Sequence, residues 1–252
     1  MKKYWVPAIE RADSILKILA KHPRQYRLID LSNELNINKS SMFSLLNTLE
    51  DLHWVKKEKD GTYALGLAMG MFSASYFHQL DLVEIFHQIA PLYVERIGET
   101  AQLAILNDKH IFYLAKQESQ SPIRIATDPG MTLPAHAPSL GKVLLSQFTY
   151  KQLIELYPDE PLEPLTPYTV KTRQALWEQL QYIKENGYVF EQREATKDFY
   201  CVAAPIWNYE NHMIAAVSFT MLEGSWKEKK ERAITEILNL ANHLSEYTGH
   251  MG

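Results

Sequence analysis

The spacing of apolar residues predicts a regular run of elements over the first sixty-odd positions. From residue 8 to 20, Ile9, Ala12, Ile15, Leu16 and Leu19 recur at steps of three and four, which lines them along one stripe of a helix. His22-Pro23 ends it, because proline disfavours helical geometry in the residue before it. Leu28, Leu31 and Leu35 predict a short second helix that stops at Asn36, a residue tolerant of a left-handed exit. Asn38 is a good N-cap for a third helix over residues 39–52. Residues 54–57 and 62–65 then read as strands joined by a turn at Lys59-Asp60-Gly61. Three helices and a β-ribbon, with few residues between helices two and three, predict a winged helix-turn-helix.

The pattern beyond residue 66 is more varied. Residues 67–97 read as helical with a break near Leu80-Asp81, where Asp81 caps a helix holding Leu82, Ile85, Phe86 and Ile89. Residues 101–116 read as two strands around the turn Asn107-Asp108-Lys109-His110, and residues 123–125 as a further strand. Ala137-Pro138-Ser139-Leu140-Gly141 opens a helix through Gln147, with proline in its first turn. A longer helix over 172–186 closes at Gly187. Val189-Phe190 and residues 200–206 read as strands, the second pairing with residues 213–221 across Asn208-Tyr209-Glu210-Asn211. A last helix has Ile234, Ile237, Leu238, Ala241 and Leu244 as its apolar face. Strands mixed with helices make this second part α+β. The expected organisation is a winged helix-turn-helix over 1–66, a helical linker over 67–97 and an α+β domain over 98–252.

Composition adds a bias to this plan. Residues 1–66 hold eleven Lys and Arg against eight Asp and Glu, a net +3 that leaves −7 on the remainder of a chain with formal charge −4. A basic head on an acidic body suits contact of one end with phosphate. The single cysteine, Cys201, forms no internal disulfide and fits a reducing compartment. Residues 1–5 lack the apolar core of a signal peptide, and no apolar run reaches the roughly 20 residues of a membrane span. The expected location is the cytoplasm.

On the third helix, Met42, Leu45, Leu46, Leu49 and Leu52 share the face that packs on the first two helices. Ser40, Ser44, Asn47 and Asp51 lie opposite, flanked by Ser41 and Phe43. The N-terminal part of such a helix enters the major groove of duplex DNA. That reading puts Asn38, Lys39, Ser40 and Ser41 near phosphates or base edges, Phe43 near a thymine methyl, Ser44 on the same face and Asn47 in reach of adenine. Lys56, Lys57 and Lys59 place charge on the wing. The competing reading is a solvated polar face on a protein-interaction module, since the helix lacks arginine and carries Glu50 and Asp51.

In this order the segments resemble the isocitrate-lyase-regulator (IclR) type of bacterial transcription regulators. The stretch Ala8-Ile9-Glu10-Arg11-Ala12 is similar to that family's opening helix, residues 38–50 to its recognition helix, and residues 60–66 to its wing. Leu133-Pro134-Ala135-His136-Ala137 through Gly141-Lys142-Val143-Leu144-Leu145 resembles its loop and helix beside the effector pocket. Asn186-Gly187-Tyr188 and residues 201–206 resemble its late pocket strand. The resemblance implies a homodimer or tetramer binding an operator in double-stranded DNA, with a GAF-like α+β effector-binding domain over 98–252. It also implies an effector site at Ser139, Leu140, Glu191, Cys201, Ser218 and Thr220. Ser139 and Leu140 depart from the small residues expected there, and Ser44 stands where a basic residue is common.

Physical chemistry supports the same pocket. N–H groups at the start of the Pro138 helix suit a carboxylate. Ser218 and Thr220 alternate on a strand and so face one side, and Cys201 on a neighbouring strand lines that side too. A small polar metabolite, an organic acid, is the expected effector, with Glu191 calling for a hydroxyl or amine on it. The rival enzyme reading needs Cys201 and His136 as nucleophile and base. His78 and His87, nine residues apart, do not share a helical face, and phosphate-loop and dinucleotide glycine patterns are absent. No cofactor, metal or catalytic residue is therefore expected.

Overall fold

A computed structural model describes residues 6–78, 81–121 and 125–250. The chain divides into two compact units, residues 1–80 and 81–252. In the first, α1 (Pro7–Lys21), α2 (Leu28–Glu34) and α3 (Lys39–Asp51) are followed by β1 (Val55–Lys57), β2 (Tyr63–Leu65) and α4 (Leu67–His78). The apolar stripe closes as its spacing predicts: Ala12, Ile15 and Leu19 of α1 meet Leu31, Met42, Leu46, Leu49, Val55 and Tyr63 in one buried cluster. Two residues expected on these faces are exceptions: Ile9 at the start of α1 is exposed, and so is Leu52. The latter is the C-cap of α3 and half exposed, because the helix ends before its side chain can turn inward.

Local chemistry sets the joints. Asn36 takes a positive φ of 51° between α2 and α3, and Asn38 Oδ1 accepts the Ser41 N–H at 2.8 Å. Asp60 accepts from both the Thr62 hydroxyl and its N–H, which holds its carboxyl below the usual range and tightens the wing turn. Gly66 has no room for a side chain: a Cβ there would lie 2.2 Å from the His53 carbonyl oxygen. That approach lets Gly66 N–H donate to Trp54 O, and Ala68 N–H to His53 O, anchoring the start of α4.

The second unit begins at α5 (Leu82–Ile97), capped by Asp81 accepting from the N–H groups of Val83 and Glu84. The helical stretch 67–97 is thus split, α4 in the first unit and α5 in the second. Then come β3 (Thr100–Asn107), β4 (His110–Gln117), β5 (Thr132–Pro134), α6 (Ser139–Leu145), α7 (Tyr150–Leu156), α8 (Arg173–Asn186), β6 (Val189–Gln192), β7 (Phe199–Trp207), β8 (Met213–Leu222) and α9 (Glu223–Tyr247). Five antiparallel pairings build one six-stranded sheet in the order β5-β4-β3-β8-β7-β6. The α+β expectation holds. The strand expected at 123–125 falls on positions outside the described residues except Ile125, which is in no strand. The turns behave as expected, with Asp108 and Asn211 at positive φ and Gly187 left-handed after α8.

Side-chain alternation separates the two faces of the sheet. Ala104, Val189, Ala203 and Ala216 pack with Leu140, Val143 and Leu144 of α6, and α8 packs against both α6 and β6. Trp226 of α9 instead meets Phe190 and Tyr200, which have the opposite parity. Gly141 lets α6 sit tight on the preceding loop, since a Cβ there would be 2.0 Å from the Ala135 carbonyl oxygen.

Candidate functional site

The head presents a helix-turn-helix surface. Ser32 Oγ donates to Ile37 O at 2.6 Å and Ile37 N–H returns to Ser32 O, which clamps the turn between α2 and α3. Asn38, Lys39, Ser40, Phe43, Ser44 and Asn47 are all exposed, and Ser41 is half-buried beneath the cap. Phe43, 54% exposed, is an apolar side chain standing in water on this face. Ser40 Oγ donates to Asn38 Oδ1, and Ser44 Oγ to Ser40 O. On the wing Lys56, Lys57 and Lys59 are exposed, Lys56 pairing with Glu58 at 3.4 Å. Sequence patterning missed a third strand-like segment. Arg24 N–H donates to Tyr63 O, Tyr63 N–H to Tyr26 O, and Arg27 bridges Thr62, so two exposed arginines join the wing. The Arg27-to-Thr62 spacing hid them, because ribbon pairing at that distance leaves no local signal.

The second site lies on the α6 face of the sheet. Register lines up Thr100, Thr220, Cys201 and Glu191 across β3, β8, β7 and β6. Gln102, Ser218 and Ala203 form the next row toward the alanines that pack on α6. Glu191, Cys201, Ser218 and Thr220 therefore share one face, as strand alternation predicts. Thr220 Oγ1 donates to Gln102 Oε1 at 3.2 Å and lies 3.4 Å from Cys201 Sγ. Gln102 Nε2 donates in turn to the Thr127 hydroxyl and to its carbonyl at 3.2 Å. Ser139 and Leu140 are buried above this face, and Leu140 belongs to the apolar cluster, so it forms wall rather than a polar contact.

One correction concerns the helix start. Pro138 is the N-cap of α6, one position before the helix, and gives no side-chain cap. The helix has seven residues, all buried, so the charge beside the site comes from a side chain rather than from a helix end. That side chain is Lys142, wholly buried and ion-paired with Glu194. Burial pulls the Lys142 ammonium down and Glu194 acts against that shift. Glu194 Oε2 also accepts the Val170 N–H at 3.1 Å, and the Glu194 carbonyl accepts the Thr169 hydroxyl at 2.7 Å. A lysine amid Leu140, Val143, Leu144 and Leu145 was the available clue, because a charge on an apolar helix demands a buried partner.

Glu191 is the second acid. Its Oε1 accepts the N–H groups of Glu194 and Ala195, the latter at 3.1 Å, whereas its Oε2 is buried without a partner. Burial pushes the carboxyl up to about 7, against the opposing pull of Lys142 and the two N–H donors. Burial likewise raises the Cys201 thiol well above its ordinary value, with the Glu191 carboxylate adding to it. This thiol is the reverse of an activated nucleophile. His136 is engaged elsewhere, since its Nε2 donates to Glu163 O at 2.8 Å, and burial lowers its imidazole.

Both halves of the chain match one family. Residues 8–59 match the IclR helix-turn-helix domain, and residues 74–246 match the bacterial transcriptional regulator IclR C-terminal domain. The chain belongs to the IclR family. Among IclR relatives, it is 28% identical over 218 residues to the HTH-type transcriptional regulator XynR of Escherichia coli K12, covering 86% of each chain. It is 27% identical over 214 residues to the HTH-type transcriptional repressor AllR of the same strain, covering 84% of this chain and 79% of AllR. The solved structure of the Agobacterium tumefaciens repressor BlcR superposes with a TM-score of 0.88 at 27% identity, covering 98% of this chain and 99% of BlcR. The protein is thus a transcriptional regulator with a helix-turn-helix DNA-binding domain, not an enzyme. No helix among the described residues is long and apolar enough to cross a membrane.

Proposed function

We propose that this IclR-family regulator binds a specific operator through α3 and the wing, and that a small organic acid on the α6 face of the sheet modulates that binding. The observation that carries the effector reading is the polar row itself. Glu191, Cys201, Ser218 and Thr220, with Thr100 and Gln102 beside them, occupy one face of a sheet that next to them packs Ala104, Val189, Ala203 and Ala216 against α6. Of these groups Glu191 Oε2 is buried without a hydrogen-bonding partner, and a ligand that bonds to it offsets that cost. In this reading residues 1–66 read DNA, 98–252 sense the effector and 67–97 link them.

The regulator acts as a homodimer or a higher homo-oligomer. Val6, Ile9, Leu67, Met71 and Phe72 leave large apolar side chains exposed on the first unit, a surface that a second copy covers. Two heads then take half-sites roughly 34 Å apart or a multiple of it. Fluorescence anisotropy with duplex from the gene's own upstream region, across a salt series, tests the DNA reading. A steep negative salt slope and preference over scrambled duplex are expected. Affinity equal for both duplexes, from a folded protein, would sink sequence-specific binding. Repeating the titration with small acids present tests the effector reading, and sedimentation tests the oligomer.

A further inference from the structure

We propose that the sheet face takes up its acid effector together with one proton held on Glu191, so that effector affinity depends on pH. This rests on the organic-acid reading above. The geometry begins with the unequal oxygens of Glu191. Oε1 is saturated by two backbone N–H groups, while buried Oε2 meets no N–H or O–H donor, the weakly donating Cys201 thiol being the one side chain that reaches the carboxyl. An ionised Oε2 at that position lacks the donors that a buried carboxylate needs. A protonated one is an O–H donor waiting for an acceptor, which the carboxylate of a ligand supplies.

The charges around Glu191 lead to the same balance. Lys142 of α6 faces it but is paired with Glu194 of the turn after β6. Cys201 of β7 and Tyr113 of β4 face it as groups whose burial favours their neutral forms. A second carboxylate entering beside an ionised Glu191 meets like charge in a dry site, with the Lys142 ammonium already matched by Glu194. With the proton on Glu191, the ligand and Glu191 share a single negative charge and one hydrogen bond. The proton is at hand near neutrality, since burial already lifts Glu191 to about 7. An added anion lifts it further. Affinity is then flat in mildly acidic solution and falls up to about tenfold per pH unit above neutrality.

The test uses the full-length protein and calorimetric titration with glycolate, lactate and pyruvate, each beside its neutral amide, at pH 6.5 and 8.5. Two buffers of different ionisation heat at each pH count the protons taken up. The expected result is an acid that binds at pH 6.5, weakens about twentyfold by pH 8.5 and takes up close to one proton there. Its amide binds without that dependence. Glu191→Gln, which carries a permanent N–H donor at the same place, is expected to give a flat pH profile. Acid binding in the wild type with no pH dependence and no proton uptake would overturn the proposal and leave the organic-acid reading standing. The same pH loss in Glu191→Gln would also overturn it. Silence of every acid at pH 6.5 would overturn both.

Discussion

Lys142 and Glu194, 52 residues apart, form an ion pair in the core of the second unit, and Glu194 spends its other oxygen on the Val170 N–H. A single carboxylate thus ties α6 to the segment that precedes α8. Removing one partner strands the other's charge away from water. Lys142→Met is expected to destabilise the second unit by about 3–5 kcal/mol in urea unfolding. A loss under about 1 kcal/mol would mean that the pair is not closed off from solvent.

Two glycines give a paired test of backbone packing. Gly66→Ala drives a Cβ against the His53 carbonyl, backbone that cannot move aside, and is expected to cost about 2–3 kcal/mol. Gly70→Ala, in α4 with open space around it, is expected to stabilise by about 1 kcal/mol through helix propensity alone. Thermal unfolding of the two variants should shift in opposite directions; equal shifts would remove the packing argument.

DNA contacts separate by what they lose. Lys57→Ala is expected to weaken binding to operator and scrambled duplex alike, and to reduce the salt slope by about one ion. Asn47→Ala is expected to cost about 1–3 kcal/mol on the operator and little on scrambled duplex. Anisotropy titrations on both duplexes decide the matter, and an Asn47 variant that loses both equally contradicts base reading.

His136 sets an acid limit. Burial lowers its imidazole below the ordinary value near 6.5, so the folded state binds this proton less readily than the unfolded chain. Its contribution is complete above the unfolded value and is lost as pH falls through the folded one. Urea stability is expected to decline below about pH 6.5 in the wild type and to decline less steeply in His136→Asn. Identical slopes would assign the acid sensitivity to other groups.

Much of this protein is legible because its signals are local. The Asn38 cap, the Asn36 exit, the Asp81 cap and the Gly187 stop each need only a few neighbouring residues, and each lies where its chemistry predicts. Two elements escaped for the converse reason. β5 is three residues long and includes a proline, and α7 has seven residues between loops, too short for a periodicity to register. The shared face of Cys201, Ser218 and Thr220 follows from strand alternation. Lys142, Glu194 and Gln102 did not emerge, because their partners lie 52, 52 and 118 residues away. Arg24 and Arg27 were missed on the wing for the same reason.

The sheet's central pairing has a temporal consequence. β3 is joined to β8, so the line from Thr100 through Thr220 and Cys201 to Glu191 closes only once both strands are made. During synthesis the nine buried core residues of the head, Ala12 to Tyr63, are all available long before residue 222 leaves the ribosome. The helix-turn-helix unit can therefore fold while the second unit still lacks the strand that joins β3 to β7. A chain cut short after the head keeps the helix-turn-helix and lacks the second unit altogether.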